Sequence, residues 1–432
     1  MKHFLLYLSL LNSISISAQK RGKNVYNESV SMNSLQENSS SQDTKKNVLF
    51  ISIDDLRPEL NCYGSSNIIT PNIDKLANEG MLFTNAYSQQ AICTPSRISM
   101  LSGLRPSTTG IYDLTDKLKV EAPSVVSMPR NIKDAGYNTI SLGKVYHHQD
   151  DDPNAWTEAA WRPGSNDGTW FYQGHLNSSP VDYGLDGKTL FGPPTENEDV
   201  ADNWYQDGVT ADKAIEKLEE YKDMPFFLAV GFKKPHLPFT APEKYWNLYN
   251  RDNITPYTIN TPEGLGNFST TEWQELRSYF GIPKTGDILE EQAKELIHGY
   301  WACVSYIDAQ IGKVINKLDE LGLRDNTIII LWSDHGFKLG EYGDWCKHTN
   351  FEIDVRTPLI IDVPGMPGGI KCSHIVESVD VFPTVADLLG IIPPNGLDGM
   401  SLKPLLESPE NPWKSAAFSQ YPRWSNSRMG TT

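Results

Sequence analysis

Four stretches of this chain gather residues that do chemistry, and each directly follows an apolar run. Asp54-Asp55 follows residues 47–53. Gly143-Lys144-Val145-Tyr146-His147-His148 follows residues 137–142. Lys233-Lys234-Pro235-His236 follows residues 226–232, and Asp334-His335-Gly336 follows residues 327–333. The carboxylates of Asp54, Asp55 and Asp334 are hard oxygen donors suited to calcium, with magnesium second. His335 is the odd member of such a set, because imidazole prefers softer metals. Lysines and histidines beside carboxylates can hold an anionic group and move its protons. An Asp pair after a strand is by itself an ordinary turn signal. Four such endings, drawn from both halves of the chain, describe an assembled site.

The elements that must position them follow from periodicity. The runs over 47–53, 226–232 and 327–333 are short, nearly continuous and rich in Val, Ile, Leu or Phe, as strands buried on both faces are, and 137–142 reads as a further strand after a helix. A weaker strand is expected at 358–363. Helical patterns cover 74–80, 125–136, 209–221, 290–321 and 381–390. Strands alternating with helices give an α/β fold, a mostly parallel central sheet flanked by helices. In open sheets of this kind ligands bind beyond the carboxyl ends of the strands, so the four endings are expected to converge. No internal repeat is visible. Residues 149–201 are polar and rich in Trp, Pro, Gly and Asn, which suits a surface insertion. Trp156, Trp161 and Trp170 there either stack on sugar rings or hold the insertion together.

The chain has 432 residues and a net charge of −16, from 54 acidic against 38 basic residues. No basic stripe stands out, which argues against nucleic acid as a partner. An anionic small substrate remains compatible, since a local cluster of cations can sit inside an acidic shell. Lys2 and His3 precede an apolar stretch over 4–16, and Ala18 offers a small cleavage residue. Residues 1–18 therefore read as a signal peptide, which implies a periplasmic or secreted protein. The apolar stretch is too short for a stable membrane anchor. Residues 19–46, rich in Ser, Asn, Gln and Lys, read as a disordered linker. Cys62, Cys93, Cys303, Cys346 and Cys372 form no Cys-x-x-Cys pair, so a zinc ribbon or thioredoxin-type site has no support.

One of these cysteines stands in Cys93-Thr94-Pro95-Ser96-Arg97, on the way into a helix. Pro95 suits a first helical turn, and a helix start favours an oxyanion. This run resembles the maturation signature of type I sulfatases, members of the alkaline phosphatase superfamily. Further landmarks of the resemblance are Asp54-Asp55-Leu56-Arg57-Pro58, Gly143-Lys144-Val145, Lys234-Pro235-His236, Ser333-Asp334-His335-Gly336, Gly340-Glu341 and Asp380-Val381-Phe382-Pro383-Thr384. Their order and spacing are most similar to the iduronate-2-sulfatases.

The resemblance implies that a formylglycine-generating or anaerobic maturation enzyme oxidises Cys93 to 3-oxoalanine (formylglycine). The hydrated aldehyde is then a geminal diol. One oxygen attacks sulfur; deprotonation of the other expels sulfate, so no water has to attack a sulfate ester. By the same resemblance Asp54, Asp55, Asp334, His335 and the modified Cys93 hold one Ca2+ per chain, and Arg97 steadies the nucleophile. Lys144 and His147 lie on one side of the sulfate, with His147 the base for sulfate expulsion. His236 and Lys347 lie on the leaving-group side and protonate the departing sugar oxygen. His148 and His348 have no firm place in this scheme.

The implied substrate is a sulfated carbohydrate, with a 2-O-sulfated uronic acid as the best single choice. Phe337 and His348 stand where the iduronate enzymes tend to have other aromatics, which leaves the uronate preference open. The catalytic domain is expected over 47–400, with 401–432 the start of an incomplete C-terminal subdomain. Two other readings share these residues. One is a phosphatase or phosphodiesterase of the same superfamily; the other is a non-catalytic binder of sulfated glycans.

Overall fold

The continuous apolar run Val48-Leu49-Phe50-Ile51 can only be a strand that hides both faces, and it forms the centre of the sheet. In the computed structural model, residues 45–164, 192–257, 260–265, 269–271 and 273–421 are described, together with the backbone of 430–431. Strands lie at β1 (Asn47–Asp54), β2 (Met81–Tyr87), β3 (Asn138–Gly143), β4 (Thr195–Glu196), β5 (Phe226–Pro235), β6 (Phe239–Thr240), β7 (Thr327–Ser333), β8 (Arg356–Asp362), β9 (Ile370–Glu377), β10 (Gln420–Tyr421) and β11 (Gly430–Thr431). Seven of them form one sheet in the order β3-β5-β1-β7-β8-β2-β9. β3, β5, β1 and β7 are mutually parallel, and β8 runs antiparallel to both of its neighbours.

Every residue of β1 is buried. Side chains alternate along a strand, so Leu49, Ile51 and Ile53 enter one core while Val48 and Phe50 enter the other. The first core packs under the helices Gln206–Tyr221 and Glu290–Glu320, which contribute Ala211, Leu218, Tyr300 and Ile307. The second packs under Cys93–Ser102 and Val381–Leu389, with Ile98, Leu101, Phe382 and Val385. The sheet is thus covered on both faces, as the alternating pattern requires. Parallel register sets Ile53 beside both Phe232 and Ser333, and Gly143 beside Gly231. The carboxyl ends of four strands therefore lie along one edge, and the reactive residues follow directly from them.

Two strands of the seven-stranded sheet, β2 and β9, have no counterpart in the sequence reading. β9 shows why: half-buried at one end of the sheet, it carries Lys371, Ser373 and His374 among its apolar residues. The expected strand at 358–363 is β8, and it is the antiparallel one. Of the insertion aromatics, Trp156 settles on the second of the two alternatives. Trp156 is buried, stacked on Phe227 at 6.5 Å and edge-on to Tyr146 at 6.4 Å. Trp161 exchanges backbone hydrogen bonds with β3, its N–H donating to Ser141 O at 2.9 Å and its carbonyl accepting from Gly143 N at 2.8 Å. Trp170 lies outside the described residues, as do residues 1–44. All five cysteines are free thiols. Among the described residues no helix is long and apolar enough to cross a membrane.

The end of β5, and with it the loop that follows, is held from below by Asp207, in the first turn of the Gln206–Tyr221 helix. Its buried carboxylate accepts from Lys233 N and Lys234 N, both at 2.8 Å. Asp207→Ala strands two buried N–H groups, each worth about 1–3 kcal/mol when unpaired. The expected result is a lower urea midpoint with an unchanged slope, measured by circular dichroism. A midpoint equal to wild type would show that the loop is anchored elsewhere.

Candidate active site

The turn after β1 is strained where it matters. Asp55 sits at φ 62° and His348 at φ 79°, two of the three non-glycine residues with positive φ among those described. Such backbone costs energy unless its surroundings enforce it. For Asp55 they do: its carbonyl accepts from the Tyr300 hydroxyl at 2.8 Å, and its N–H donates to Asp334 Oδ1 at 3.2 Å. The result turns the Asp54 and Asp55 carboxylates toward different neighbours.

Asp54 faces the sulfur. Its Oδ1 lies 3.5 Å from Cys93 Sγ and 3.3 Å from Arg97 Nη2, and its Oδ2 accepts from Lys144 Nζ. Cys93 opens the helix Cys93–Ser102, every residue of which is buried. Its Sγ also lies 3.6 Å from Lys144 Nζ and 3.3 Å from His335 Nε2. Arg97, one turn further on, is wholly buried and holds Asp334 Oδ2 through Nε at 2.8 Å. Its Nη1 donates to the carbonyls of Lys144 and Val145. Ser96 Oγ donates to the Asp334 carbonyl at 2.5 Å. One helical turn therefore ties β1, β3 and β7 together around the thiol.

Asp55 faces the other way. Its carboxylate is 3.0 Å from His335 Nδ1, 3.1 Å from Lys347 Nζ and 3.9 Å from His236 Nε2. Lys347 Nζ lies 5.6 Å from the centre of the Phe337 ring. Phe337 itself is fully buried and edge-on to Phe239, so it backs the lysine rather than lining open space.

Electrostatics follow from burial opposed by charge. Burial would raise the Asp54 carboxyl, but Lys144, His236 and Arg97 hold it well below the usual carboxylate range. Burial likewise opposes ionisation of Asp55, and Lys347, His236 and His335 overcome it. Asp334 ends at about 6, because burial and the Asp54 charge outweigh Arg97. Burial would lower His335, yet Asp334 and its other partners raise it well above an ordinary histidine. Lys347 is raised in the same manner by Asp55 and Glu275 against its burial.

His147 follows Lys144 on the loop after β3. Burial and the Lys144 charge push it well below the normal range, and its buried Nδ1 has no hydrogen-bond partner. It packs edge-on against His148 at 4.9 Å, and His148 in turn contacts the Leu114 carbonyl at 2.7 Å. A neutral imidazole beside a lysine is in the form that accepts a proton. Every candidate residue named from the sequence thus lies on this edge of the sheet: Asp54, Asp55, Cys93, Arg97, Lys144, His147, His236, Asp334, His335 and Lys347.

Two residues at the site gave no sequence signal. Glu275 opens a short helical turn, Glu275–Ser278, in the stretch between β6 and the Glu290–Glu320 helix. Its carboxylate lies 3.2 Å from His236 Nε2 and 2.9 Å from Lys347 Nζ. Because His236 Nδ1 meets the Leu237 carbonyl at 2.7 Å, both ring nitrogens face acceptors. Burial and Lys347 push the ring down to about 4, whereas these contacts ask for two N–H groups. Trp273, two residues earlier, stacks on His348 at 5.2 Å and 15°, and its ring is 46% exposed. A lone Trp or Glu inside a polar stretch shows no periodicity and follows no strand, so nothing in the sequence marked either.

Among the described residues, two donor sets on this edge come close enough to hold a cation, Asp55, His236 and Glu275 being the smaller and less buried of them. In the larger, ligand atoms of Asp54, Cys93, Asp334 and His335 all lie within 4.8 Å of one another. Asp55 Oδ1 is buried beside it, 3.0 Å from His335 Nδ1 and 3.1 Å from Lys347 Nζ. Buried acceptor-only oxygens in this number suit a hard divalent ion.

A family model described as Sulfatase matches residues 46–391 of the chain. The iduronate 2-sulfatases of Mus musculus and Homo sapiens are each 36% identical over 437 residues, which is 87% of this chain and 78% of theirs. A sulfatase of Formosa agariphila is 33% identical across 80% of this chain and 70% of its own length. Among solved structures, the phosphonate monoester hydrolase of Agrobacterium radiobacter superposes with a TM-score of 0.71 at 25% identity. That match covers 87% of this chain and 80% of the other.

Proposed function

The chain belongs to the sulfatase family and is a sulfate ester hydrolase, and from that premise we propose that it removes sulfate from a 2-O-sulfated uronic acid. The substrate would be a sulfated polysaccharide or the oligosaccharides released from it. Cys93 would act after conversion to formylglycine by a maturation enzyme, with one calcium ion held by Asp54, Asp55, Asp334, His335 and the modified residue. The observation that carries this reading is the setting of Cys93. A buried thiol opens a helix within 3.3–3.6 Å of a carboxylate, a lysine and a histidine, all at strand ends. A cysteine with a purely packing role is normally surrounded by apolar atoms.

The hydrated aldehyde would supply one oxygen to attack sulfur and a second whose deprotonation expels sulfate. Calcium, when bound, would polarise the sulfate oxygens. The chain's own residues do the rest. Arg97 offsets the charge of the Asp54 and Asp334 carboxylates, which it contacts at 3.3 and 2.8 Å, and fixes the first turn of the Cys93 helix. Lys144 lends positive charge to the transferring group. His147, held neutral, takes the proton that sulfate expulsion requires. Lys347, held charged, works with His236 where the sugar oxygen departs. Each acid–base contribution is typically worth about a hundredfold to ten-thousandfold.

The carbohydrate part of the reading is supported by the relatives named iduronate 2-sulfatase. It is also supported by Trp273, whose exposed ring beside His348 offers a flat apolar face next to the leaving-group side. We place the catalytic domain at 47–400, with a signal peptide at 1–18, a linker at 19–46 and the start of a further subdomain at 401–432. Export to the periplasm or beyond follows from that leader.

The test is direct. Protein co-expressed with a maturation enzyme should show the aldehyde mass at Cys93 and release sulfate from a 2-O-sulfated uronate disaccharide. It should turn over an aryl sulfate far faster than the matching aryl phosphate. Active protein that carries only unmodified thiol would overturn the nucleophile, and a preference for phosphate would favour the phosphatase reading instead.

A further inference from the structure

We propose that Glu275 is a positioning residue that holds His236 and Lys347 as one unit on the leaving-group side of the site. The proposal rests on the sulfatase reading and adds a residue to it. His236 and Lys347 come from loops far apart in sequence, after β5 and after β7. The side chain of Glu275 is only 13% exposed and spans the gap between them, with Oε1 at 3.2 Å from His236 Nε2 and Oε2 at 2.9 Å from Lys347 Nζ.

Each partner then has two fixed points. The His236 ring is held at Nδ1 by the Leu237 carbonyl and at Nε2 by Glu275. Lys347 is held by Asp55 at 3.1 Å and by Glu275. A long flexible ammonium with one restraint can sample several rotamers; with two on opposite sides it cannot. The Glu275 segment is itself pinned, because Trp273 stacks on His348, the neighbour of Lys347. Residues 273–275 and 347–348 therefore meet at two points, one apolar and one ionic. Without Glu275 the two donors share only Asp55, which lies 3.1 Å from Lys347 Nζ but 3.9 Å from His236 Nε2, so the ring loses the closer of its two carboxylates.

The role is visible in the leaving group. A sugar oxygen departs as a strongly basic alkoxide unless it is protonated, whereas a nitrophenolate departs unaided. Positioning errors near 1 Å cost on the order of a hundredfold, but only where the misplaced group is needed. The matured, calcium-supplied enzyme, its Glu275→Ala variant and its Glu275→Gln variant are compared on a 2-O-sulfated uronate disaccharide and on 4-nitrophenyl sulfate. Glu275→Ala is expected to lower kcat on the sugar ester by about 10- to 100-fold. It should leave kcat on the aryl ester within about threefold, a span small against positioning losses, and KM for the sugar ester nearly unchanged. Glu275→Gln keeps the volume and one acceptor oxygen, so its sugar-specific loss should be smaller; it also carries the test if the alanine variant folds poorly. Equal losses on both esters, or no loss on either, would overturn the proposal and leave the sulfatase reading intact. Absence of sulfate release by the wild-type enzyme from both esters would overturn that reading, and Glu275's role with it.

Discussion

Cys93→Ser is expected to take up one sulfuryl group per chain and then stop. The serine hydroxyl stands where Sγ now lies, among Asp54, Lys144 and His335 at 3.3–3.6 Å, so the first transfer remains possible. The ester oxygen of the substrate leaves with a proton, the S–O bond to it breaks, and a new S–O bond forms to the serine. There the cycle halts. Serine has a single oxygen on its β-carbon, so no neighbouring hydroxyl can expel the sulfate, and release needs water to attack sulfur. The expected observation is a burst of free sugar equal to the enzyme concentration. It should be followed by a steady rate about 10⁴-fold or more below wild type, the usual scale for loss of a nucleophile's full function. Intact-mass analysis should show one added sulfuryl group. Cys93→Ala should show neither burst nor turnover. Sustained turnover by Cys93→Ser, or sulfate release by Cys93→Ala, would remove the two-oxygen nucleophile from the account.

What the sequence revealed here depended on whether function and fold used the same signal. β1, β5 and β7 are buried on both faces, so their apolar runs are long and plain. Parallel pairing then fixes which end of each run must face the site, which is why Asp54, Lys144, His236 and Asp334 could be grouped before any contact was known. Lys347 lies on a loop beyond β7, and only the family pattern pointed to it. β9 shows the converse case, since a half-covered edge strand mixes polar and apolar residues. Glu275 and Trp273 belong to neither class. They reach the site from an irregular stretch, and their importance comes from three-dimensional proximity to His236, Lys347 and His348. Trp156 stayed open for a related reason: an aromatic in a polar insertion suits a ligand or packing equally, and this one is spent on Phe227 and Tyr146.

Arg97→Met is expected to cost about 3–5 kcal/mol of stability at neutral pH in the presence of a chelator. The guanidinium is wholly buried and does four things at once. It contacts Asp54 at 3.3 Å and Asp334 at 2.8 Å, and it donates to the carbonyls of Lys144 and Val145. Methionine fills much of the volume but leaves two buried carboxylates facing each other and two carbonyls unpaired. Arg97→Lys should recover only part of the loss, because one ammonium cannot match a planar fork. The pH dependence has a definite sign. Asp334 already titrates at about 6, raised by burial and by Asp54, and removing Arg97 takes away the charge that opposes the rise. The folded variant then binds protons more tightly than its unfolded chain, whose carboxyls titrate near ~4. Its deficit relative to wild type should be full only above the pH at which the variant's own Asp334 titrates, shrink as pH falls toward about 6, where the wild-type carboxyl takes up its proton too, and stay constant below that. Denaturant midpoints of both proteins at an alkaline pH and at a pH below about 6 measure this directly. A divalent cation bound by Asp54 and Asp334 should lessen the deficit at neutral pH by supplying the missing charge. A gap between wild type and variant that is the same at both pH values, or below about 1 kcal/mol, the scale of an exposed ion pair, would mean that Arg97 is not what allows two carboxylates to be buried beside the nucleophile.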